Sequence, residues 1–195
     1  MILDQLTLKN FCLYRGKQTF DLAPIRRRGR HAPIVLFGGI NGGGKTTLLD
    51  AVQLVLYGAR ASCSKRADKA YDQFLADSIH RSVDPEEGAS ITLSFQYATA
   101  GEEHLFAVTR AWSVIRDRLR EAVRVTKDGK QDGWLSENWN QTVEELIPSG
   151  ISQLFFFDAE KVRFLADDES STRTLGDAIK GLLGLDLAER LIADA

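Results

Sequence analysis

Hydrophobic and polar positions change period several times along this chain, and each change marks an element. Over residues 2–8 the apolar Ile2, Leu6 and Leu8 are separated by Asp4, Gln5 and Thr7, an alternation that predicts a strand. Residues 10–16 read as a loop. Residues 18–22, with Phe20 and Leu22 on one face, read as a second strand, so a hairpin is expected ahead of the next apolar run. That run, residues 34–37 (Ile-Val-Leu-Phe), is continuously apolar, the pattern of a strand buried in a parallel sheet. From Thr47 to Tyr57 the spacing becomes helical, and Gly58 supplies a stop. A second helix is predicted over residues 67–81 through Ala70, Phe74, Leu75 and Ile79, ended by Asp84-Pro85. Then strand-like alternation returns over residues 89–97, 104–115 and 122–126. Turn-rich residues 99–102 and 127–130 separate these runs, which predicts a small antiparallel meander. A short helix is expected over residues 138–147, before Pro148, and Trp112, Trp134 and Trp139 are expected in the core or on a sheet face. Residues 151–157 form an apolar strand-like run, followed by helical spacing over residues 161–166, 175–183 and 185–195.

Between the apolar run at 34–37 and the first helix lies the stretch that carries chemistry. Gly39 to Thr46 fit G-x-x-x-x-G-K-[ST], the phosphate-binding loop. Such a loop wraps a triphosphate with inward-facing backbone N–H groups. Side chains at Gly42, Gly43 and Gly44 would block that approach or forbid positive φ values. Lys45 brings a mobile charge to the β- and γ-phosphates, the Thr46 hydroxyl is placed for Mg²⁺, and the helix aims its N-terminal dipole at the phosphates. With Asn41 before the glycines and Thr47 after Thr46, residues 41–47 form the expected ATP-binding set.

Bulk properties narrow the setting. The 195 residues suffice for one sizeable domain, and 44% apolar with 27% charged residues is an ordinary globular composition. A net charge of −2 provides no global basic field, so any nucleic-acid contact has to come from local patches. The one basic block is Arg26, Arg27, Arg28 and Arg30, open to two readings: a grip on DNA phosphates, or a solvated loop. Two cysteines, Cys12 and Cys63, without metal-ligand spacing fit a reducing cytoplasm. No leader pattern or run of transmembrane length is present, so no membrane partner is expected.

A phosphate loop needs an acid for Mg²⁺ and a group that orients water. The apolar strand that ends in acid is Leu154-Phe155-Phe156-Phe157-Asp158, with Glu160 two residues on. Asp158 has three readings. It can be the Mg²⁺ ligand of a self-contained Walker-B-type strand, with Asp158 and Glu160 as the catalytic pair. It can belong to the lobe-connecting segment of a larger split head, near Mg²⁺ but without the hydrolytic glutamate. Or it can cap the next helix. Ala159 between the two acids weighs against the first reading. Gln153 is the alternative metal residue. No signature loop of the Leu-Ser-Gly-Gly type occurs in the chain, so no complete catalytic set is expected within it.

Residues Leu6-Thr7-Leu8-Lys9-Asn10-Phe11, Tyr14-Arg15-Gly16 and Phe20-Asp21-Leu22, with the phosphate loop running into Leu48-Leu49-Asp50-Ala51, resemble the opening of SMC-like and RecF-like DNA-maintenance ATPases. The stretch Leu154-Phe155-Phe156-Phe157-Asp158-Ala159-Glu160-Lys161-Val162 resembles the DndD family, SMC-like ATPases of bacterial DNA phosphorothioate (sulfur) modification. Residues 182–191 resemble that family's approach to its coiled coil. The resemblance implies an α/β P-loop fold of the SMC/ABC type with an antiparallel meander, residues 1–195 forming the N-terminal lobe of the head. It further implies ATP and Mg²⁺ as cofactors and DNA as the material acted on. Its partners would be the chain's own C-terminal lobe, a second head in an ATP-dependent dimer, and the proteins that deliver sulfur. On this reading the missing base and signature loop lie in that C-terminal lobe, and residues 1–195 alone turn over ATP negligibly. Two rivals share the residues: a repair ATPase with the same head, and a nucleotide-dependent dimerisation module without turnover. Gly43 stands where the wider family has Ala or Ser, and Ala159 where DndD has Gly. Asp158 falls where relatives carry a metal-side glutamine, which leaves the assignment between Asp158 and Gln153 open.

Overall fold

A computed structural model describes residues 1–149 apart from 28, 29, 33, 34, 41, 65, 67 and 100. Residues 150–195, with Gln153, Asp158 and Glu160 and the three expected C-terminal helices, lie outside the described residues, as do Asn41 and Arg28 and the side chains of Arg26, Arg27 and Arg30. The chain divides into two units, Met1–Thr142 and Val143–Ala195.

The first unit is built on one antiparallel sheet. Its strands are β1 (Ile2–Phe11), β2 (Tyr14–Asp21), β5 (Ala89–Thr99), β6 (Glu102–Ile115), β7 (Arg118–Lys127) and β8 (Lys130–Asp132), in the order β2-β1-β5-β6-β7-β8. The expected hairpin and meander both form. They are halves of one sheet, because β1 pairs with β5 as well as β2, placing Leu6 opposite both Phe20 and Leu93. Alternation sets the two faces. Leu6, Leu8, Ile91, Leu93, Phe95, Phe106, Val108, Trp112 and Val125 are buried on one side, and the intervening positions are mostly small or polar, with Leu105 and Ile115 the exposed apolar exceptions on β6.

The buried face is covered by α1 (Lys45–Tyr57), which contacts β5 and β6 and buries Ala51, Leu54, Val55, Leu56 and Tyr57. Gly58 ends this helix as expected, at φ 55°, its N–H donating to the Leu54 carbonyl. α3 (Gly133–Leu146) starts five residues earlier than its apolar spacing indicates. Asp132 caps it, Oδ1 accepting from the Leu135 N–H at 2.9 Å, and Val125 N–H donates to Ser136 Oγ at 2.9 Å. The earlier start places Trp134 in the first turn, where it is 66% exposed, contrary to expectation. Trp112 and Trp139 are buried as expected, donating from Nε1 to the Leu75 carbonyl at 2.8 Å and the Leu56 carbonyl at 3.0 Å. Of the second unit, the described part is the last turn of α3 and the residues to Ser149, whose N–H donates to Glu144 Oε2 at 2.8 Å.

Three further expectations are corrected. Val35, Leu36 and Phe37 form no strand, and Leu36 is 89% exposed. A strand exists through its neighbour's ladder, and the described six-stranded sheet is antiparallel throughout, with none of its strands pairing to this run. The helix over residues 67–81 shrinks to α2 (Tyr71–Asp77). Its C-terminal continuation is diverted to β1: Cys12 N–H donates to the Ser78 carbonyl at 2.7 Å and His80 N–H to the Asn10 carbonyl at 2.8 Å. On the near side Arg66 and Lys69 N–H groups close turns onto Cys63 and Arg66 carbonyls. The arginine block is a ribbon rather than a loop: β3 (Ile25–Arg27) pairs with β4 (Arg30–Ala32), which satisfies their backbone groups locally.

Candidate nucleotide site

The loop before α1 is bent by glycine. Gly42 and Gly44 have φ of 78° and 92°, backbone that an L side chain adopts only under strain, and Gly43 N–H closes a turn onto the Ile40 carbonyl at 3.0 Å. At Gly44 space as well as φ excludes a side chain, since a Cβ there would sit 2.6 Å from the Tyr14 hydroxyl. Tyr14 donates that hydroxyl to the Gly44 carbonyl at 3.2 Å, and burial holds its phenol above the ordinary value, so it stays a neutral donor. Its ring meets Phe20 edge-on at 5.5 Å, and Phe20 meets Phe37 at 6.1 Å, so an aromatic chain from β2 braces the loop on both sides.

The helix that the loop opens is left accessible to an anion. Gly44 is its N-cap, no side chain caps it, and no acid stands in its first turn. Lys45 is exposed at the first helical position, and its ammonium donates to the Gly39 and Ile40 carbonyls at 2.8 and 2.9 Å. A phosphate bound in the loop offers that ammonium a full charge in place of two carbonyl dipoles. Thr46 is exposed beside it and Thr47 is buried. The glycine cradle, uncapped helix end and adjoining Lys45 and Thr46 thus fit a nucleotide phosphate with its Mg²⁺. Among the described residues no cluster of three His, Cys, Asp or Glu stands ready to hold a metal by itself.

Two buried charges were hidden in the sequence pattern. Asp50 lies on the buried side of α1, its carboxylate accepting from Ser64 N–H at 2.9 Å and Ser64 Oγ at 2.8 Å, which pins the segment after the helix. Arg110 stands in the apolar phase of β6, 3% exposed, with Nη1 2.5 Å from Glu121 Oε1 on β7. Tyr71 of α2 donates to the same oxygen at 2.6 Å. The Arg110 guanidinium lies so close to Gly58 that a Cβ there would be 2.7 Å from Nη1. A charge in the buried phase of a strand or helix was the available signal for both.

A glycine-bent loop opening an uncapped helix, packed on a mixed α/β scaffold, is consistent at a coarse level with a P-loop nucleotide-binding domain. Residues 5–192 match the family model described as AAA domain, and the chain belongs to that family. The match supports an SMC-like ATPase lobe, and AAA ATPases generally use ATP and Mg²⁺. No match is found among curated proteins. Among the described residues no helix is long and apolar enough to cross a membrane.

Proposed function

We propose that this chain is the N-terminal lobe of an SMC-like ATPase head that binds ATP·Mg²⁺ on residues 41–47. In the whole protein it couples hydrolysis to DNA phosphorothioate modification in the cytoplasm. The observation that carries ATP binding is the cradle itself: Gly42 and Gly44 at positive φ, running into a helix with neither cap nor acid at its N-terminus. Lys45 neutralises phosphate charge and Thr46 holds Mg²⁺, the second metal position falling to Asp158 or to Gln153. The link to sulfur modification is supported by the Phe155-Phe156-Phe157-Asp158 stretch and its likeness to DndD. On this reading the C-terminal lobe supplies the base and signature loop, two heads sandwich the nucleotide, and sulfur-delivering proteins share the DNA.

Titration calorimetry tests the site. Lys45→Ala is expected to weaken ATP·Mg²⁺ binding at least about tenfold, roughly 1.4 kcal/mol or more, with the melting temperature of the free protein unchanged. Wild-type affinity in that variant would refute the assignment of the loop as the ATP site.

A further inference from the structure

The open face of the sheet carries a second pattern. Register places Thr19, Thr7, Thr92, Thr109 and Arg124 abreast across β2, β1, β5, β6 and β7. Beside the middle of this row the floor is Ser90, Ser94, Ala107, Ala111 and Ser113, none larger than threonine, while Leu105 and Ile115 stand on the same face towards the two ends of β6. On β7 the same face carries Arg118, Arg120 and Arg124, all exposed. Among the described residues none of the three makes an ion pair or a side-chain hydrogen bond. At the opposite rim stand Lys17 and Lys9, the latter 3.5 Å from Glu87. Acids of this face, Asp21, Glu103 and Asp4, whose carboxylate accepts from Gln96 Nε2 at 3.0 Å, lie at its far end, Asp117 sits in the β6–β7 turn, and Glu121 is turned inward to Arg110.

We infer that this face is a docking surface for the sugar–phosphate backbone of duplex DNA. For the identity of its occupant the inference rests on the DNA-acting reading above. Same-face residues on a strand are about 6.6 Å apart, so Arg118 to Arg124 lay three cations along roughly 20 Å. A duplex presents on the order of ten phosphates over that length. The floor matches the task. Thr92 and Thr109 hydroxyls share a hydrogen bond of 2.9 Å, and Thr7 and Thr19 one of 3.2 Å. Each such pair uses one of its two hydroxyl hydrogens and keeps the other to donate to a phosphate oxygen. Small residues let the backbone approach closely. Single-stranded nucleic acid is the poorer fit, because it is held by stacking on aromatic rings. The rings of these strands, Phe11, Tyr14, Phe20, Phe95, Tyr97, Phe106 and Trp112, all stand in the opposite phase.

The test is fluorescence anisotropy with a labelled duplex of mixed sequence and its single strand, across a salt series. Arg118→Gln/Arg120→Gln/Arg124→Gln is expected to lower duplex affinity at least tenfold and to reduce the slope of log K against log salt by about 2–3, near 0.9 per lost phosphate contact. The corresponding triple lysine variant keeps the slope, because charge is retained, and an unchanged melting temperature in both shows that folding is not the cause. If the wild-type protein binds no duplex, the inference and the DNA reading fall together, while ATP binding stands. If it binds duplex and the glutamine variant keeps the wild-type slope, the inference alone fails. Loss of slope on replacing Arg26, Arg27, Arg28 and Arg30 instead, or tighter binding of the single strand, overturns it too.

Discussion

Replacing Gly44 with Ala perturbs the loop in two separable ways. The backbone at φ 92° costs an L-residue about 1–2 kcal/mol in the left-handed region. The new methyl would lie 2.6 Å from the Tyr14 hydroxyl and 3.0 Å from its Cζ, so Tyr14 must withdraw and give up its hydrogen bond to the Gly44 carbonyl, about 1 kcal/mol more. The sum, about 2–3 kcal/mol, should register in urea denaturation, because Tyr14 opens a sheet strand and Gly44 caps the helix that covers the sheet. A double-mutant cycle divides it. In a Tyr14→Ala background the cost of Gly44→Ala should fall to the backbone part, leaving a coupling of about 1 kcal/mol. Equal costs with and without the Tyr14 ring would refute the close-approach argument, and a cost below about 0.5 kcal/mol would refute the conformational one as well.

Two other perturbations address the charges buried behind the site. Glu121→Ala leaves the Arg110 guanidinium buried without its acid and is expected to cost about 3–5 kcal/mol in urea denaturation. A loss under about 1 kcal/mol would show that the pair is solvated. Tyr71 is raised above its ordinary pKa of 10.0, first by burial and further by Glu121, so the folded state prefers the protonated phenol. Stability should be fully present below pH 10 and decline above it as the unfolded chain ionises. Tyr71→Phe should flatten that decline, and an unchanged pH profile would count against the buried hydroxyl.

The parts of this molecule that obey local rules were legible in the sequence. Alternation identified β1, β5, β6 and β7, and the Gly58 stop ended α1 at Tyr57. What failed depended on partners distant in sequence. The run Val35-Leu36-Phe37 has the composition of a strand, but composition supplies no ladder. The helical spacing through Ile79 was outcompeted by the end of β1, which takes the backbone of Ser78 and His80 for itself. At the candidate site, the glycine bend at Gly42 and Gly44 and the helix start at Lys45 were readable because they are contiguous in sequence. Tyr14 was not, because nothing in Tyr-Arg-Gly announces a carbonyl thirty residues away.

The hydrogen bond from Trp139 to Leu56 has a mechanical consequence. Helices ordinarily fray at the C-terminus, and a push at one end dissipates in the other. Here the last turn of α1 is clamped: Trp139 takes the Leu56 carbonyl, and Gly58 is pressed against the Arg110 guanidinium. The thirteen residues of α1, about 20 Å of rod, therefore join the glycine cradle to a fixed far anchorage. The glycine cradle at Gly44 and the contacts with α3 and the sheet at Leu56 and Gly58 are thus the two ends of one helix.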